Sequence, residues 1–112
     1  MIRKILLVSA VALWAGSAIA AEPIEGNWKT EAGDTARIAP CPEGFCITLV
    51  NGKYANKQIG NMKGNGGLYN GKITDPKDDK TYEGSAAVSG SQLKLQGCVL
   101  KVFCKSQVWT RL

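Results

Sequence analysis

Four cysteines, Cys41, Cys46, Cys98 and Cys104, are the residues whose type and spacing most directly imply chemistry. They fall into two pairs, each bracketing a short stretch: Pro42 to Phe45 in the first, Val99 to Phe103 in the second. An even count in a chain without histidine favours disulfides over a metal site. Zinc sites usually space their cysteines two to four residues apart and often add histidine, and neither feature is present. Three pairings are open. Chain entropy in the unfolded state favours a long-range pairing such as Cys46–Cys98, at about 4 kcal/mol against about 2 for a local one. The local pairing, Cys41–Cys46 with Cys98–Cys104, is still expected, because each hairpin brings its own cysteines together as it forms.

The remaining candidates point away from catalysis. The chain has no histidine, and no nucleophile-elbow or phosphate-cradling motif, so no catalytic residue is assigned. Carboxylates such as Asp75 and Glu83 cannot be paired from sequence alone. Asp75, Asp78 and Asp79 lack the alternating ligands and the glycine of a calcium loop, and Lys77 and Lys80 offset their charge, so a solvated turn is expected. No metal or cofactor is expected. Lys53, Lys57, Lys63 and Lys72 could present a basic patch, but thin aromatic interleaving argues against nucleic acid as a partner. Trp28 and Arg111 make the most suggestive pair. An arginine over an indole face contributes about 0.5–2 kcal/mol and would lock the place where first and last strands meet.

Short alternating runs separated by turn residues position these groups, as in an all-β domain. Ile24, Gly26, Trp28 and Thr30 form the inner face of a first strand. Thr35 to Cys41 and Phe45 to Val50 complete a three-strand meander. Lys53 to Gly67 is the least regular stretch; Tyr54, Ile59 and Met62 give at most a short strand or a turn of helix, and Gly64 to Gly67 reads as a flexible connection. Leu68 to Thr74, Thr81 to Val88 and Gln92 to Gln96 follow as strands. Cys98 to Cys104 wraps the final turn before a closing strand that ends Trp109-Thr110-Arg111. Seven or eight strands of about six residues fit a small antiparallel barrel, closed where the two tryptophan strands meet.

The first twenty residues have another purpose. Met1 to Lys4 is basic, Ile5 to Trp14 is apolar, and Ala18-Ile19-Ala20 is a small-residue cleavage site, the order of a secretory signal peptide. Cleavage is expected after Ala20, leaving residues 21–112 as one domain, not membrane-spanning, in the periplasm or secreted from a bacterial cell. Loss of two cations, Arg3 and Lys4, takes the net charge from +5 to +3. A domain of this size buries only about two-thirds of its unfolded surface, which suits reinforcement by disulfides in an oxidising compartment.

Several motifs together resemble the DUF2147 family of exported bacterial proteins. They are Gly26-Asn27-Trp28, Arg37-Ile38-Ala39-Pro40-Cys41, Phe45-Cys46, Gly71-Lys72-Ile73-Thr74-Asp75-Pro76, Lys80-Thr81-Tyr82 and Gln107-Val108-Trp109-Thr110-Arg111. The resemblance implies a lipocalin-like up-and-down β-barrel with a Gly-x-Trp first strand and an arginine on the last, and no established activity. Longer members carry an acidic insertion where this chain has the lysine- and glycine-rich stretch 53–67. Two roles follow as expectations. One is a non-catalytic, monomeric barrel binding a small apolar or amphipathic ligand, lined by Trp28, Tyr82 and Leu95 with Tyr54 or Tyr69 near a rim. The other is an envelope-associated module, presenting its loops to an envelope protein. The inner face discriminates: Trp28, Ile38, Ile47, Leu49, Tyr82, Leu93 and Leu95 would fill the barrel, whereas Gly26, Gly84 and Ala86 would leave room.

Overall fold

A computed structural model describes residues 21–99 and 103–112; the expected signal peptide and its cleavage point lie outside the described residues. Eight strands follow one another: β1 (Gly26–Lys29), β2 (Thr35–Cys41), β3 (Gly44–Leu49), β4 (Gln58–Asn65), β5 (Leu68–Asp75), β6 (Lys80–Ser89), β7 (Gln92–Val99) and β8 (Phe103–Arg111). Each pairs antiparallel with its neighbours and β8 returns to β1, closing the barrel in chain order.

The period-two pattern of the sequence sets which side chains enter. Along β6, Tyr82, Gly84 and Ala86 are buried while Glu83 is exposed; along β7, Leu93, Leu95 and Gly97 alternate with Lys94 and Gln96. Two disulfides, Cys41–Cys46 and Cys98–Cys104, staple the β2–β3 and β7–β8 hairpins, as hairpin proximity predicts. The second is not part of a turn. Cys98 and Cys104 face each other within the β7–β8 ladder, because β7 runs on to Val99.

The stretch 53–67 departs most from expectation. Turns occupy residues 53–56, and Gln58–Asn65 is a full strand, β4, paired on both sides. Gly64 and Asn65 belong to that strand, and Gly66-Gly67 is a two-residue hairpin turn between Asn65 and Leu68. Its first and second residues have φ of 66° and 99°, the left-handed values that glycine adopts freely and that match the twist of a hairpin. The register slips between Ile47 and Thr48 of β3, leaving Ile59 as the extra residue of a bulge. Ile59 and Gly60 are therefore both buried in succession. Alternation fails there, and so the sequence pattern is weak.

Closure rests on a short seam. The β1–β8 register is Trp28↔Arg111 and Lys29↔Thr110. It is extended by Leu112 N–H donating to the Asn27 carbonyl at 3.0 Å, and by Val108 N–H donating to the Glu31 carboxylate at 2.8 Å. Ile24 lies outside β1, in a turn that folds over the barrel end, and is fully buried there.

Candidate functional site

The barrel interior is divided between a packed end and an open one. Tyr69 and Asp75 sit at opposite ends of β5, and the interior differs sharply between them. At the Tyr69 end, Ile24, Trp28, Ile38, Ile47, Met62, Tyr69 and Leu93 are the largest fully buried side chains. The N-terminal turn seals this end. Trp28 Nε1–H donates to the Ile24 carbonyl at 2.9 Å. Arg111 spans the seam, donating to the carbonyls of Glu25 at 3.1 Å and Pro23 at 2.6 Å. Its guanidinium lies 4.2 Å from the Trp28 ring centroid. The Glu22 carboxylate accepts from the Tyr69 hydroxyl at 2.7 Å and from Gly66 N–H at 2.9 Å. Burial, and next the bond to Glu22, hold the Tyr69 hydroxyl above its ordinary pKa.

At the Asp75 end the barrel opens on a chamber of about 470 Å³. Leu49, Ile59, Ile73, Tyr82, Leu95 and Trp109 form its apolar wall. Thr30, Ala32 and Asp34 from the β1–β2 turn line the mouth, with Lys53 and Tyr54 from the β3–β4 loop. Asp75, Pro76 and Lys77 from the β5–β6 turn, and Lys105 with Gln107 from β8, complete it. The volume falls within the range of small-molecule sites, about 300–1,000 Å³.

Two lysines lie against aromatic rings at this mouth. Lys53 Nζ is 5.6 Å from the Tyr54 centroid and Lys105 Nζ is 5.5 Å from that of Tyr82. Lys105 also approaches Asp75 Oδ2 at 3.8 Å. The Tyr82 side chain chiefly, with Asp75 and Asp78 adding less, raises the Lys105 pKa. That ammonium stays charged through neutral pH. Trp109 Nε1–H donates to Gln107 Oε1 at 2.8 Å, which fixes the indole in the wall.

Of the expected lining residues, the structure brings Tyr82, Leu95 and Tyr54 together at the chamber. Trp28 and Tyr69 belong instead to the sealed end, under Ile24 and beside Glu22. Trp28 and Arg111 take the seam position expected of them. Trp109, Ile73, Lys105 and Gln107 were not expected in a lining, yet the sequence carried a signal for three of them. Arg111 faces Trp28, so alternation alone puts Trp109, Gln107 and Lys105 on the inner side of the same strand.

The lysines of stretch 53–72 form no single patch. Lys53 is at the chamber mouth, while Lys63 and Lys72 lie on the outer face of β4 and β5, in a shallow polar depression that includes Asn61, Glu83 and Gln96. Lys72 pairs there with Glu83 at 3.1 Å. Asp78 and Asp79 are exposed in the β5–β6 turn. Among the described residues, a grouping of metal-ligand types occurs at Cys41, Glu43 and Cys46, but both sulfurs are joined in a disulfide.

A family model described as "Uncharacterized protein conserved in bacteria (DUF2147)" matches residues 26–111. The match runs from the first residue of β1 to the last of β8. No curated protein and no solved structure matches the chain.

Proposed function

The chain belongs to the DUF2147 family, and from that premise we propose that it is a non-catalytic periplasmic barrel that binds a small apolar or amphipathic ligand in the chamber at its open end. The observation that carries this reading is the one-sided packing of the interior. Seven inward residues fill one end to full burial, yet the other end keeps about 470 Å³ walled by Leu49, Ile59, Ile73, Tyr82, Leu95 and Trp109. A barrel stabilised by its own core alone would gain by filling that space, since each buried CH₂ contributes about 0.8 kcal/mol. Two disulfides in a bacterial family fit an extracytoplasmic protein.

Intrinsic fluorescence tests the reading, because one tryptophan of residues 21–112 borders the chamber and the other is sealed away from it. Titration with dodecanol below its solubility limit should give a saturable emission shift. The shift should survive Trp28→Phe and vanish in Trp109→Phe. Leu95→Trp, which places an indole in the chamber, should weaken the saturable binding measured by calorimetry. No saturable binding of any amphiphile, measured also by calorimetry, sinks the chamber as a binding site and turns attention to the loops as a surface for an envelope protein.

A further inference from the structure

We propose that the ligand is an anionic amphiphile, with its tail against Ile59, Ile73 and Leu95 and its headgroup on the Lys105 ammonium. This rests on the chamber reading above. The inner positions of β8 run Lys105, Gln107, Trp109, Arg111. A lysine on the inner face of a small barrel must either be neutralised or reach water. Arg111, at the sealed end, spends its donors on two backbone carbonyls. Lys105 reaches water at the open mouth, its side chain 63% exposed, and Asp75 Oδ2 at 3.8 Å is only a loose counter-charge, beyond hydrogen-bond range. Beyond its contact with Tyr82, its remaining N–H donors face water or a ligand anion.

An anion is favoured at Lys105 itself rather than by the mouth as a whole. Lys53 and Lys77 share the mouth with Lys105, set against Asp34 and Asp75, and Asp78 acts on Lys105 from the neighbouring turn. Gly97 stands directly across from Lys105 and lets the Tyr82 side chain pack close over the strand beside it. A Cβ there would come within 3.0 Å of Tyr82 Cβ. An alkyl tail below would displace water from apolar wall while the charge stays at the mouth, much as a lysine stem lies along apolar surface and keeps its head in water. Carboxylate and phosphate monoester heads both meet these requirements. A quaternary ammonium head would meet Lys105 with like charge, which works against binding.

Four amphiphiles of one chain length separate the possibilities: dodecanoate, dodecyl phosphate, dodecanol and dodecyltrimethylammonium, each titrated below micelle formation. The two anions are expected to bind about tenfold more tightly than dodecanol, the scale of one charge-assisted hydrogen bond. The ammonium should bind more weakly than dodecanol. Dodecanoate ahead of dodecyl phosphate marks a fatty-acid-like ligand, and the reverse order a lysophosphatidate-like one. Lys105→Gln should bring dodecanoate down to the level of dodecanol, and Lys105→Glu should place it below. Asp75→Asn, which removes the competing carboxylate, should tighten both anions; Lys94→Gln on the outer face of β7 should change nothing. Dodecanol binding as tightly as dodecanoate, or Lys105→Gln without effect on dodecanoate, overturns the headgroup assignment and leaves the chamber reading standing. Failure of all four to bind overturns both.

Discussion

Arg111 makes three contacts that no other residue type could make together. Its fork bridges two carbonyls of the N-terminal turn while its face stacks on Trp28. A charged hydrogen bond contributes about 1.5–3 kcal/mol and a cation–π contact about 0.5–2. We expect Arg111→Leu to lower unfolding stability by about 2–4 kcal/mol in urea denaturation. Arg111→Lys should recover less than half, since an ammonium cannot fork. Gly26 makes room for this side chain: its φ is 131°, and a Cβ on it would stand 3.2 Å from Arg111 Nη1. Tyr69 supplies a pH signature at the same end. Its hydroxyl is held above the ordinary value, by burial first and the Glu22 bond second. An acid whose folded pKa exceeds its unfolded value contributes stability fully below the unfolded pKa, about 10, and loses it as pH rises through the folded value. Stability should therefore fall in the alkaline range above about pH 10. In Tyr69→Phe that part of the fall should be missing, as read by denaturant midpoints from neutral to strongly alkaline pH.

Three neighbouring strands share one level that carries no inner side chain. Gly71, Gly84 and Gly97 pair directly across β5, β6 and β7. Strand glycines weaken a sheet unless close approach demands them, and here it does. A Cβ on Gly71 would collide with the Asn61 carbonyl oxygen and approach Met62 Cα to 2.8 Å, both backbone. On Gly84 it would meet Ile73 side-chain atoms at 2.7 Å and Met62 Cε at 3.1 Å, which can shift. Gly71→Ala should cost more than about 3 kcal/mol, and Gly84→Ala about 1–3, the usual range for overpacking that side chains can absorb. Equal losses in thermal unfolding would show that backbone collision is not what distinguishes them.

Over the whole molecule, stability and the chamber reside at different ends of one barrel. Ile24 is a fully buried plug on the sealed end and does not line the chamber. Ile24→Ala should therefore remove about 2–4 kcal/mol of stability and leave dodecanol affinity unaltered. Leu95→Trp should show the converse: lost binding with little loss of stability, because the added ring enters existing space. Coupled loss of both properties in either variant would mean that the two ends do not act separately.

Much of this was readable in the sequence, because alternation reports the face of a strand and turn residues report where it ends. The β2–β3 and β7–β8 hairpins and their local disulfides follow from such nearest-neighbour logic, and the meeting of Trp28 with Arg111 from closing the first strand on the last. Level along the barrel axis does not. Tyr69 and Tyr82 look alike as inward aromatics, yet Tyr69 lies beneath the N-terminal turn with Glu22 and Tyr82 stands in the chamber wall. That difference depends on how far each strand is staggered, on the bulge at Ile59, and on a turn that returns over one end only. β4 was obscure for a related reason. With Gly60 and Gly64 at inner positions its own apolar signal is thin, and it is a strand because β3 and β5 pair with it on both sides. The sequence determined the barrel and its staples; which end is sealed and which is open was decided by tertiary contacts between residues as far apart as Pro23 and Arg111.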